Sequence, residues 1–101
     1  MGTASRIFKA LADPTRRQIL QELKAGERSA GEIASWFEMS APSVSRHLAI
    51  LKAADLIAER RVANRILYRL MPEALASVLG DYLSAVCPTQ LRWRRRKLRA
   101  T

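Results

Sequence analysis

The chain has 101 residues, 49% of them hydrophobic, which is room for one small domain with a real core. Its 18 Lys and Arg against 9 Asp and Glu give a net charge of +9, a balance that favours a polyanionic partner. One cysteine, Cys87, excludes an intrachain disulfide framework, and no stretch resembles a membrane span or a secretory leader; a cytoplasmic location without a membrane partner is expected.

Along the chain, a first helix is expected over Ser5–Ala12, with Ile7, Phe8 and Leu11 on one face. Asp13 is a good N-cap and Pro14 suits the first helical position. A second helix should therefore run from Pro14 to Lys24, with Ile19, Leu20 and Leu23 as its apolar stripe and Gly26 placed to end it. Ser29 followed three residues later by Glu32 has capping-box spacing and opens a third helix, Ala30–Phe37, with Ile33, Ala34 and Phe37 inward. After the tight connection Glu38-Met39, Ser40 caps a fourth helix reaching Ala54. Pro42 lies in its first turn, where a missing N–H does no harm, and Val44, Leu48 and Leu51 share one side.

The period then changes. Leu56–Arg61 and Arg65–Leu70 read as two short strands around a bend at Val62-Ala63-Asn64, with Asn64 the residue that tolerates a left-handed conformation. Pro72 starts the last helix, to Cys87, with an apolar stripe of Leu75, Val78, Leu79, Tyr82, Leu83 and Val86. Pro88 ends it. Residues 88–101 carry Arg92, Arg94, Arg95, Arg96, Lys97 and Arg99 without an acid, so most of the net charge sits in this tail. Trp93 lies within it. The expected fold is mainly α with a small β-hairpin, in the order helix, helix, helix, helix, strand, strand, helix. That is a winged helix-turn-helix over residues 1–87, followed by a basic tail over 88–101.

Two short helices joined by a tight turn, the second followed by a hairpin, suit the major groove of duplex DNA. A helical wheel of Ser40–Ala54 turns Pro42, Arg46 and Ala49 away from Val44, with Ser43 and Ser45 on the flanks. Arg46 is the expected base reader, since a guanidinium can pair with guanine through two hydrogen bonds. Ser40, Pro42, Ser43 and Ser45 complete the expected contact face. His47 lies at the edge of the buried side, and two roles stay open: a bond to a neighbouring group or a phosphate contact. Arg60, Arg61, Asn64 and Arg65 are expected to carry the wing's contacts to phosphate or the minor groove. The chain has no paired carboxylates in a cleft, no Ser/His/Asp or Cys/His set and no Gly-rich phosphate loop, which argues against an enzyme.

Ile7, Phe8 and Leu11 on the first helix and Leu75, Leu79, Tyr82, Leu83 and Val86 on the last offer more apolar surface than one small core needs. Pairing these helices across a two-fold axis would bury the excess, so a homodimer is expected. Cys87 could act as a redox switch or cross-link, or serve only as a small apolar residue at a helix end.

The run from Ala10 to Leu20, ALADPTRRQIL, resembles the "LADPTRRxIL" opening of the ArsR family of bacterial repressors. Met39 to Leu51, MSAPSVSRHLAIL, is similar to that family's "LSQPTVSRHLxxL" recognition helix, and Ala54-Asp55-Leu56-Ile57 to the "AGLI" that follows. The resemblance covers about residues 6–87. It implies a homodimer that represses promoters by binding an inverted repeat, often its own operator. The family's metal sensors carry Cys-x-Cys where this chain has Ser29 and Gly31, or Asp, His and Glu ligands on the last helix, where this chain offers Asp81 and Glu73 and no histidine. No metal and no other cofactor are therefore expected. An unidentified inducer or protein partner stays open. Many relatives carry Gln where this chain has Ala41, so one adenine-reading amide is missing. The rival reading is a nonspecific basic nucleic-acid-binding protein driven by the tail.

Overall fold

Side-chain caps start three of the five helices in this computed structural model, which describes residues 2–87. The elements are α1 (Thr3–Leu11), α2 (Pro14–Leu23), β1 (Arg28–Ser29), α3 (Ala30–Phe37), α4 (Ala41–Ala53), β2 (Ile57–Val62), β3 (Arg65–Leu70) and α5 (Pro72–Val86). The basic tail, and Trp93 with it, lies outside the described residues. Helix α1 begins at Thr3, two residues earlier than expected. Asp13 accepts from the backbone N–H groups of Thr15 and Arg16 at 2.8 and 3.2 Å and so starts α2. That helix ends at Leu23, one residue short of the expected Lys24. Gly26 follows at φ 147°, a conformation only glycine adopts cheaply, and its N–H returns to the Leu23 carbonyl.

The end of α4 shows how a strand is launched from a helix. The Leu56 N–H reaches the Leu51 carbonyl at 3.1 Å and the Asp55 N–H reaches that of Lys52 at 3.0 Å. Asp55 sits at φ 59°. These two bonds around a left-handed residue form a Schellman motif, and its hydrophobic clasp is Leu51 against Leu56, both fully buried.

The hairpin is one residue tighter than expected. Val62 pairs with Arg65, so the loop is only Ala63-Asn64. The positive φ falls on Ala63 (55°), and Asn64 is not left-handed. A positive φ at the first of two loop residues is the pattern of a type II′ turn, which matches the twist of the flanking strands. The expected two-stranded hairpin is in fact a three-stranded antiparallel sheet, because β1 pairs with β3 through Arg28–Tyr68 and Ser29–Leu67. β3 is thus the central strand. β2 is an edge, and Glu59, Arg60 and Arg61 give it the charges that discourage edge-to-edge association.

Ile7, Ile19, Leu20, Leu23, Ile33, Val44, Leu48, Leu51, Leu56 and Ile57 form the centre of one core, with Tyr68 at its margin. Ile7 is fully buried inside the protomer and is no part of an outward face, which corrects its assignment to a dimer surface. Leu11 and Leu75 are half-buried against the same core. What stays outside is Phe8, Tyr82, Leu83 and Val86, all exposed, with Leu79 half-buried beside them. The Phe8 and Tyr82 rings meet edge to face at 5.3 Å and tie α1 to α5. No residue of α5 is fully buried.

Candidate nucleic-acid interface

The two helices that frame the site are fixed by hydroxyls. Ser29 Oγ accepts from the Glu32 N–H at 3.2 Å while Glu32 Oε1 accepts from the Ser29 N–H at 2.9 Å, a reciprocal capping box that starts α3. Glu38, at φ 51°, turns the chain out of α3. Ser40 then accepts from the Ser43 N–H at 3.3 Å to start α4, and its hydroxyl donates to Ser43 Oγ at 3.0 Å. Ser40 and Ser43 are thereby engaged with each other at the tip of the helix.

On α4, Val44, Leu48 and Leu51 are buried, so the helix is held by one side. Pro42, Ser45, Arg46 and Ala49 are exposed on the other. Among the described residues no carboxylate pairs with Arg46. His47 is half-buried, and the structure gives it a neighbour: Arg16 Nη1 donates to its Nδ1 at 3.3 Å. Arginine has no acceptor, so the imidazole must present an unprotonated Nδ1 in this contact.

The wing is braced by two acids, Glu27 and Glu32, whose pairing with its arginines no local pattern announces. Arg60 makes a bidentate pair with Glu27, at 2.7 Å from Nε and 2.8 Å from Nη2. Arg65 reaches Glu32 Oε1 at 3.3 Å, so one carboxylate both caps α3 and holds the wing. Arg60 and Arg65 are therefore tethered to the body, unlike the open cations expected. Arg61, opposite Ile66, has no carboxylate partner among the described residues and is exposed, as is Asn64 at the turn. At the wing root Lys52 of α4 pairs with Glu59 at 2.7 Å. A cleft of about 170 Å³ lies there between α4 and the sheet, lined by Ser45, Leu48, Ala49, Lys52, Glu59 and Tyr68.

These contacts hold three glutamates below the usual carboxylate range. The main causes are the Arg60 hydrogen bond for Glu27, the Ser29 backbone N–H for Glu32, and the Lys52 hydrogen bond for Glu59. At Asp13 partial burial raises the pKa, but the Arg16 and Thr15 N–H bonds together outweigh it and the net shift is downward. Burial, with Glu59 close by, pushes the Tyr68 hydroxyl up.

Among the described residues no three His, Cys, Asp or Glu side chains are grouped to hold a metal ion. Ser29 serves as a helix cap.

Comparison with known proteins agrees with this geometry. A family model described as a helix-turn-helix domain matches residues 3–60. The chain is 50% identical over 82 residues to the transcriptional repressor SdpR of Bacillus subtilis, covering 81% of this chain and 91% of that one. It is 42% identical over 76 residues to the HTH-type transcriptional regulator Rv2034 of Mycobacterium tuberculosis, covering 75% of this chain and 71% of that one. An ArsR-like transcriptional regulator from Rhodococcus sp. RHA1 superposes with a TM-score of 0.73 at 28% identity, over 97% of this chain and 89% of that one.

Proposed function

The chain belongs to the ArsR family of winged helix-turn-helix transcriptional regulators, a non-enzymatic class of DNA-binding proteins, and from that premise we propose that it represses transcription as a cytoplasmic homodimer on an inverted-repeat operator. One observation carries the reading. Helix α4 is buried along Val44, Leu48 and Leu51 and leaves Pro42, Ser45, Arg46 and Ala49 uncovered, with Arg46 free of any carboxylate among the described residues. A helix so mounted can enter a major groove without disturbing the core.

In this reading Arg46 addresses a base edge, preferably guanine O6 and N7. Ser45 and the Ser40–Ser43 tip meet phosphates, which position the protein without reading sequence. Arg61 and Asn64 give the wing its contact with the flanking duplex, while Arg60 and Arg65 reach phosphate only by leaving Glu27 and Glu32. The outward apolar residues of α1 and α5 are the dimer surface. Two protomers then offer their α4 helices to successive major grooves about 34–36 Å apart.

The test is selection of duplexes from a random-sequence pool, followed by footprinting of the winner. An enriched site with two-fold symmetry supports the proposal. Recovery of no common sequence at physiological salt would reject it. Removal of residues 90–101 separates the rival reading: a protein working through its basic tail loses nearly all affinity, whereas an operator reader keeps its preference.

A further inference from the structure

Arg16 stands in the first turn of α2 with its side chain only 11% exposed, an unusual setting for an arginine. Its Nε donates to the Ala10 carbonyl at 2.7 Å and its Nη2 to the Lys9 carbonyl at 3.0 Å. Both belong to the last turn of α1, where the Lys9 carbonyl also accepts the Ala12 N–H at 3.2 Å. Its Nη1 donates to His47 Nδ1 on α4 at 3.3 Å, and the Asp13 carboxylate lies 3.9 Å from the same nitrogen. One planar guanidinium thus joins the end of α1, the start of α2 and the middle of α4.

Helix α4 needs such a contact. Val44, Leu48 and Leu51 hold it by burial, and burial is non-directional. It says which side faces inward but sets the rotation about the helix axis only coarsely. A hydrogen bond at His47 has a direction, and His47 immediately follows Arg46. The Arg fork is rigid and already seated on two backbone carbonyls, so it makes a fixed reference.

We propose that Arg16 is a positioning residue for DNA reading: through His47 Nδ1 it sets the rotation of α4, and with it the direction in which Arg46 leaves the helix. The proposal rests on the reading of α4 as the helix that enters the groove. It also assigns His47 a role through Nδ1.

Side-chain mimics distinguish the two ring nitrogens. Asparagine carries its oxygen near the place of Nδ1, and glutamine near that of Nε2. Wild type, Arg16→Lys, His47→Asn, His47→Gln and the Arg16→Lys/His47→Gln double variant would be titrated with two duplexes. One is selected by the wild type from a random pool; the other is its scramble. Arg16→Lys keeps the charge and loses the fork, so it should weaken the selected duplex by about tenfold, the scale of one hydrogen bond to a charged group. The scramble, held through phosphates, should stay within about twofold. His47→Gln should behave like Arg16→Lys, His47→Asn should stay near wild type, and the double variant should fall no further than either single one.

Retention by glutamine with loss by asparagine would overturn the proposal and make His47 a DNA contact through Nε2. Multiplying losses in the double variant would overturn it too. The imidazole ¹⁵N shifts of the DNA-free protein test the pair even if a variant misfolds or the wild type fails to discriminate between duplexes. An Nε2–H tautomer that Arg16→Lys shifts supports the contact, and an Nδ1–H tautomer excludes it. A wild type without preference, beside an Nε2–H tautomer that Arg16→Lys leaves unchanged, would reject both the groove reading and the positioning role. If Arg16→Lys instead shifts that tautomer, the pair stands and only the groove reading fails.

Discussion

Arg46 and Arg61 are both exposed and without carboxylate partners among the described residues, yet they should fail in different ways when removed. Arg46 projects from the outer side of α4, where a base edge can be met. Arg46→Ala should remove about 1–3 kcal/mol of discrimination at one base position, read as a flattened profile across single-base variants of the selected site. Arg61 lies near the wing tip, where phosphate is the natural partner. Arg61→Ala should weaken all duplexes alike and lower the slope of log K against log salt by about one. The outward direction of Arg46 was legible in the sequence because Val44, Leu48 and Leu51 define an inner side at helical spacing. The partner of His47 was not, because Arg16 lies 31 residues away and nothing local links them.

Capped helices begin where local chemistry dictates, whereas strands and their turn follow tertiary pairing. Asp13, Ser29 and Ser40 announced their helices because a capping side chain bonds to backbone within three residues. β1 announced nothing, since two residues show no period, and its existence depends on Tyr68 and Leu67 far down the chain. The turn at Ala63-Asn64 was read one residue too wide because its length follows from the Val62–Arg65 register, which the sequence does not print. The exit from α4 offers a test at this scale. Asp55 is held at φ 59°, where the similar family pattern has glycine. Asp55→Gly should stabilise the fold by about 1 kcal/mol, seen as a higher urea midpoint at unchanged slope. The wing offers another. Glu27→Gln removes the carboxylate that grips Arg60 at 2.7 and 2.8 Å. The freed guanidinium should raise affinity for scrambled duplex and steepen the salt slope by about one, while the melting temperature barely moves.

The whole molecule answers to pH through the same acids. Glu27, Glu32 and Glu59 are all held below their ordinary value of 4.5 in the folded state. Groups lowered in this way favour folding while ionised. Their contribution is complete above that ordinary value and is lost as pH falls through the lowered ones. Thermal stability measured across pH should therefore begin to drop only below about pH 4.5 on their account. The apolar face makes a prediction of its own. Tyr82 is 53% exposed and packs edge to face on Phe8. Tyr82→Glu should convert the proposed dimer to monomer in sedimentation and abolish tight binding to a two-fold site. Only part of this face was legible. Apolar spacing on α1 did not reveal that Ile7 turns into its own core while Phe8 turns out, because both neighbours are equally apolar and only the packed fold tells them apart. No residue of α5 is fully buried within a single copy of the chain. In the proposed dimer a second copy would cover this helix and assembly would be second order, so with monomer in excess halving the supply of chain would cut dimer about fourfold. Dilution by growth, or a slower rate of synthesis, would then clear an operator steeply with no small molecule involved.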